Sequence, residues 1–371
     1  MVKEFCKVIK SIHSRSLANS CVFLLFLLSL ISAVPAASSG TLIGAGASFP
    51  APLYFSWSLK YKVDTGKKLN YQVMGSAGGQ IQLLNGAVDF GATDVPVSAE
   101  KLLERGWVQF PSVIGAEVIV VNVDGVENKQ LKLTGEILAD IYMGKITNWN
   151  DKAIADINPD LSLPDLTIVP VYRSEGSGTT FIFTSYLQSV SQEWSDNFGV
   201  ATSIGWPTGM GAKGNDTVAA TVKNTRGAIG YVEYAYAVVA DLVTTKLKNK
   251  DGYFVSPEVS SFEAAAANVK WGQGTSIAPS MINMFGESSW PIISATHVLL
   301  NKNSKKASKL AGVVSFFDWA FSFGDDLARN HHYLVLPEEV KDIVRNVWMN
   351  ELKDDTGESI WTPPVPVDEG N

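Results

Sequence analysis

Three short segments of this chain pair small residues and hydroxyls with a helix-like continuation. Gly44-Ala45-Gly46-Ala47-Ser48-Phe49 runs into a helix at Pro50. Gly75-Ser76-Ala77-Gly78-Gly79 runs into one rich in Ile81, Leu83 and Leu84. Arg173-Ser174-Glu175-Gly176-Ser177-Gly178-Thr179 runs into one beginning near Thr180. The first amides of a helix lack an internal partner and carry the positive end of its dipole. Small residues just before it let a ligand approach the backbone, so such a segment can hold an anion without a cation. The hydroxyls of Ser48, Ser76, Ser177 and Thr179 add donors, and Arg173 adds a planar fork suited to a tetrahedral oxyanion. A glycine-rich turn with an N-cap looks the same when it binds nothing, so no single loop decides. Gly209-Met210-Gly211-Ala212-Lys213-Gly214 is not a Walker loop, because no Ser or Thr follows its lysine. Asp94 follows a predicted strand in Asp89-Phe90-Gly91-Ala92-Thr93-Asp94-Val95-Pro96 and on its own reads as a turn aspartate.

The elements that would position these loops alternate between strand-like and helix-like patterns, which reads as an α/β fold. Strands are expected at Leu69–Val73, Ala87–Ala92, Val113–Val123, Thr167–Tyr172, Ala228–Val232 and Ile292–Leu300. Helices are expected at Ala51–Val63, Gly78–Asn85, Ser98–Arg105, Gly135–Met143, Thr180–Ser189, Asp216–Lys223, Ser308–Phe323 and Glu338–Glu351. Ser98 and Thr134 stand where N-caps would, and Gly66 where a helix would end. The long apolar strands Val113–Val123 and Ile292–Leu300 are candidates to cross between two lobes. The tail from Thr362, rich in Pro and acid, has little to bury.

The 371 residues are 46% hydrophobic and 18% charged, enough for one large or two modest packed domains. Residues 1–36 read as a secretory signal. Lys3, Lys7, Lys10 and Arg15 precede an apolar run from Cys21 to Val34, and small residues place a cleavage site after Ala36. That run is too short for the ~20 residues of a spanning helix, so the mature chain is expected to be soluble, without membrane insertion. Cys6 and Cys21 leave with the signal, which removes disulfide and thiolate-metal chemistry. The signal carries four basic residues and one acid, so the formal charge of −7 becomes about −10 on cleavage. That acidity argues against nucleic acid or an anionic membrane as partner.

In order along nearly the whole mature chain, GAGASFPAPLY (44–54), NYQVMGSAGG (70–79), VDFGATDVPVS (88–98), LADIYMGKITNWND (138–151), YRSEGSGTTFIFTSYL (172–187), GAIGYVEYAYA (227–237) and WPIISATHVLL (290–300) resemble the periplasmic phosphate-binding proteins of phosphate ABC transporters. The resemblance implies a type II periplasmic-binding-protein fold. Lobe I would take residues 37–112 and 291–371, lobe II residues 113–290, with a ligand cleft between them. It implies inorganic phosphate as ligand, with Ser48, Phe49 (through its amide), Ser76, Asp94, Arg173, Ser177, Gly178 and Thr179 as its contacts. It implies no metal or other cofactor and no catalysis, a periplasmic location, and a permease and ATPase complex as partner. Ser48 stands where the family often has Thr, Ala77 where it has a second Ser, and Glu175 where Asp is common beside the arginine.

An acidic residue in an anion site has a physical use. Near neutral pH phosphate still carries protons and sulfate none. A carboxylate such as Asp94 can therefore accept a hydrogen bond from one and repel the other. Surface charge is screened over ~8 Å at physiological salt, so an acidic protein can still hold an anion at contact distance. The competing readings are a hydrolase using Ser177 as nucleophile, a sulfate or molybdate binder, and a phosphate-scavenging surface protein without a transporter. The first lacks an evident base, since only His297, His331 and His332 lie outside the signal and no HExxH spacing occurs. Asn215-Asp216-Thr217 matches a glycosylation sequon.

Overall fold

The computed structural model describes residues 40–271, 279–302 and 307–362. The expected signal (1–36) and the tail beyond Thr362 lie outside the described residues. The strands are β1 (Leu42–Gly46), β2 (Leu69–Val73), β3 (Phe90–Thr93), β4 (Trp107–Val121), β5 (Lys132–Leu133), β6 (Val169–Arg173), β7 (Met210–Ala212), β8 (Ala228–Glu233), β9 (Val243–Thr244), β10 (Lys246–Lys248), β11 (Phe254–Val255) and β12 (Ile293–Asn301). Nine of them form one mixed sheet in the order β2-β1-β3-β12-β4-β8-β6-β7, with β9 also on β4. The other three form a small sheet, β11-β10-β5.

β4 joins the two halves of the large sheet. Its first ten residues, Trp107–Ala116, pair antiparallel with β12. Its last five, Glu117–Val121, pair antiparallel with β8. All fifteen are buried, as its near-continuous apolar sequence requires of a strand covered on both faces. Of the two strands expected to cross, β4 does. Among the described residues β12 pairs with β3 and β4, and it starts beside the changeover, where Glu117 N–H donates to Ile292 O (2.9 Å).

The periodic helices form where expected. Gly66 closes Ala51–Thr65 in the left-handed conformation (φ 73°), and the side chains of Ser98 and Thr134 cap Ala99–Arg105 and Gly135–Tyr142. Pro50 is the N-cap rather than the first helical residue. Three helices start two residues earlier than the pattern suggests: Ser76–Leu84 adds Ser76 and Ala77, Gly178–Val190 adds Gly178 and Thr179, and Gly214–Asn224 adds Gly214 and Asn215. Gly44-Ala45-Gly46 is not loop but strand. A Cβ on Gly44 would lie 2.1 Å from the Phe90 ring and one on Gly46 2.0 Å from Ala92 O, so the glycines admit β3 and its side chains against β1. Among the described residues no helix is long and apolar enough to cross a membrane.

Candidate functional site

The three loops leave the carboxyl ends of parallel strands, where open α/β sheets bind their ligands. Ala47-Ser48-Phe49 follows β1, Ser76 follows β2, Asp94 follows β3, and Arg173 ends β6 ahead of Ser177-Gly178-Thr179. β1, β2 and β3 belong to one half of the large sheet and β6 to the other. The halves meet at these residues. Ala77 N–H donates to Gly176 O (3.2 Å), and a Cβ on Gly178 would lie 2.3 Å from both Asp94 Oδ2 and Ser76 Oγ. All eight residues singled out in the sequence are buried, none of the polar side chains among them more than 2% exposed.

Each position has a local cause. Ser177 caps its helix by accepting from Thr180 N–H (3.2 Å), which leaves the amides of Gly178 and Thr179 without an acceptor among the described residues. Tyr236 Oη donates to Ser48 O (2.7 Å) and Tyr333 Oη to Phe49 O (2.6 Å). Because C=O and N–H point oppositely across a trans peptide, the first of these bonds directs the Phe49 N–H away from Tyr236. That N–H also has no acceptor among the described residues.

Arg173 is fixed on three of its nitrogens. Nε donates to Glu175 Oε1 (2.9 Å), Nη2 forms a short contact to the same oxygen, and Nη1 donates to Thr179 Oγ1 (2.8 Å). Glu175 therefore reaches the guanidinium despite being longer than the common Asp. Its Oε1 also accepts from Gly214 N–H (3.0 Å).

Asp94 sits opposite, 1% exposed. Its Oδ1 accepts from Thr296 Oγ1 (2.6 Å) and its Oδ2 from Ser76 Oγ (3.2 Å), while its own N–H donates to Ser76 Oγ (3.1 Å). Burial pushes the Asp94 carboxyl up to about 6 against the pull of Thr296, Arg173 and Ser76. The site thus gathers one fixed cation, amides without an acceptor among the described residues, hydroxyl donors, and a carboxylate that exchanges its proton in mildly acid solution. It can grip a tetrahedral oxyanion and interrogate it for a proton.

Besides Tyr236 and Tyr333, three polar partners of the site are not legible in the sequence. Thr296 hides in the apolar run of β12, and Tyr231 Oη, which accepts from Arg173 N–H (3.2 Å), looks like an ordinary core aromatic. Asn215 was visible only as a sequon, yet its side chain is fully buried and bonded to Ser48 and Thr179, which leaves no place for a glycan. The signal that could have found it is its place at the start of a helix after Gly214. Ser177 makes no hydrogen bond to a histidine. His297 is buried, and burial lowers it to about 4 against the pull of the Thr93 backbone. His331 Nε2 pairs with Ser56 Oγ (2.6 Å). No group of three His, Cys, Asp or Glu suited to a metal occurs among the described residues.

Comparison with known proteins follows the same lines. Residues 32–322 match the family model of the PBP superfamily domain. A protein of Pasteurella multocida called phosphate-binding protein PstS is 47% identical, covering 86% of this chain and 93% of its own. One of Haemophilus influenzae with the same name is 45% identical, covering 87% and 97%. The crystal structure of a phosphate-binding protein from Stenotrophomonas maltophilia, 23% identical, superposes with a TM-score of 0.63 over 83% of this chain and 94% of that one. The shared fold is the α/β, two-lobed type II periplasmic-binding-protein fold expected from the sequence.

Proposed function

This chain belongs to the PstS family of phosphate-binding proteins, and on that premise we propose that it captures inorganic phosphate and delivers it to an ABC transporter for import. Ser48, Ser177 and Thr179 donate through hydroxyls, Ser76 by turning its hydroxyl from Asp94 Oδ2 to the ligand, Phe49, Gly178 and Thr179 through amides, and Arg173 through its guanidinium. Asp94 accepts from the protonated oxygen. Lobe I takes residues 37–112 and 291–371, lobe II residues 113–290, and phosphate lies between them. The mature protein begins after Ala36, works in the periplasm, and presents its closed form to a permease and ATPase complex. It is a carrier, not an enzyme. Ser177 Oγ is committed to Thr180 N–H and has no histidine to take its proton.

The observation that carries this reading is the Asp94 carboxylate, buried among hydroxyl and amide donors and acting on the Arg173 guanidinium. Such a group weakens binding of any fully deprotonated anion and suits one that still holds a proton. Calorimetric titration of the mature protein tests it. Phosphate is expected to bind at one site between mildly acid and mildly alkaline pH, with sulfate not competing at neutral pH. Equal affinity for the two anions, or no phosphate binding, overturns it.

A further inference from the structure

Asn215 is the second residue of the helix Gly214–Asn224 and is completely buried. Its Oδ1 accepts from Glu233 N–H (3.1 Å), which fixes the orientation of the amide. Its Nδ2 then carries both hydrogens toward the pocket. One goes to Ser48 Oγ (2.9 Å) and the other to Thr179 Oγ1 (3.3 Å). The backbone N–H of Asn215 lies 3.4 Å from the same Ser48 oxygen, and Arg173 Nη1 donates to the same Thr179 oxygen.

A hydroxyl has two lone pairs and one proton. On both Ser48 and Thr179 the lone pairs face donors, so the proton is all that remains for a ligand. Ser48 follows β1 in one half of the large sheet. Thr179 and Asn215 follow β6 and β7 in the other. The Asn215–Ser48 bonds therefore exist only while the halves are together, and they polarise a hydroxyl on each side of the pocket in the same sense.

We propose that Asn215 is a positioning residue for phosphate: it holds Ser48 and Thr179 as obligate donors and latches Ser48 of one half to the other on closure. The proposal rests on the phosphate-binding reading above. It has the further consequence that the pocket rejects ligands offering a donor to these two hydroxyls.

The test is a double-mutant cycle read by phosphate calorimetry on the mature protein, with urea denaturation in phosphate-free buffer alongside. Asn215→Ala in the wild-type background is expected to weaken phosphate binding about 10- to 100-fold, the scale of charge-assisted hydrogen bonds left unsupported. In the Ser48→Ala background the same change is expected to cost at least about threefold less, because one of the two hydroxyls it orients is gone. Asn215→Asp keeps the shape but replaces the Nδ2 donor by an acceptor, which draws both hydroxyl protons away from the ligand. It is expected to bind phosphate more weakly than Asn215→Ala, and the phosphate-free urea midpoint measures separately what the buried charge costs the fold. Equal cost of Asn215→Ala in both backgrounds, or wild-type affinity in Asn215→Asp, overturns the proposal. Failure of the wild-type protein itself to bind phosphate would instead overturn the proposed function.

Discussion

Asp94 and Arg173 make opposite demands on the pocket, and each can be tested by removing it. Above about pH 6 the Asp94 carboxyl is ionised and can only accept. Below it, the carboxyl holds a proton and can donate. A bound sulfate adds a like charge that raises the crossover further. Sulfate affinity is therefore expected to rise as pH falls through about 6, and competition titrations at pH 5 and pH 8 measure it. Asp94→Asn is expected to admit sulfate at both values, and retained selectivity in that variant would remove Asp94 from the role. Arg173→Ala takes away the cation and leaves the half-buried Glu175 without it. Losing one partner of a buried charge pair costs about 2–5 kcal/mol, so phosphate affinity is expected to fall at least about 30-fold. An unchanged dissociation constant would make the arginine peripheral. The hydroxyls, the arginine and Asp94 could be picked out before any coordinates because their types match the chemistry. Their supports could not. Tyr236 and Tyr333 act on backbone carbonyls through single oxygens, and nothing in a sequence distinguishes such a tyrosine from one that merely packs.

At the scale of elements, the site is set by how closely two helices can approach it. Gly79 lies inside Ser76–Leu84, and a Cβ there would come within 2.5 Å of Gly46 Cα and 2.6 Å of Ala45 O. Gly79→Ala is expected to lift the helix off β1, displace Ser76, and cost about 1–3 kcal/mol of stability, as overpacking of a tight contact does. A denaturant midpoint equal to wild type would contradict this. Gly178 meets the opposite half instead. Its Cβ would collide with Asp94 Oδ2 and Ser76 Oγ, both in the pocket rather than in its own half. Gly178→Ala should therefore leave the phosphate-free stability nearly unchanged and prop the pocket apart, lowering phosphate affinity about 100-fold or more; equal affinity would refute the steric block. Gly178, like Gly44 and Gly46, lies where the pattern misplaces a boundary. Small residues before a hydrophobic run look like loop, whereas here they are strand and helix residues selected for backbone contact. Helix Glu338–Glu351 and strand Leu69–Val73, whose patterns reflect a single buried face, lie within the expected bounds.

At the scale of the whole molecule, the fold buries three carboxyls where its two halves meet. Glu117 and Glu233 face each other in register across β4 and β8, at the residue where β4 changes neighbours. Burial raises both well above the ordinary glutamate value, and neither oxygen of Glu117 has a hydrogen-bond partner among the described residues. Asp94 is raised for the same first cause. A raised acid means that the folded chain holds protons the unfolded chain has released, so stability falls as pH rises from the unfolded value through the folded one. For Asp94 the window runs from 3.8 to about 6; for the glutamates it opens at 4.5 and extends upward. His297 acts the other way between about 4 and 6.5, because its buried ring resists the proton that the unfolded chain accepts. The windows of Asp94, His297 and His331, whose ring burial also lowers, lie below about pH 6.5, so a slope above it is expected from the glutamates. The phosphate-free protein is therefore expected to lose stability on going from pH 6.5 to pH 8, and Glu117→Gln, which cannot ionise, is expected to flatten that loss. Urea denaturation at the two pH values in both proteins decides it. Parallel pH profiles would mean that Glu117 is already ionised in the folded state, held by Arg173 rather than by a proton.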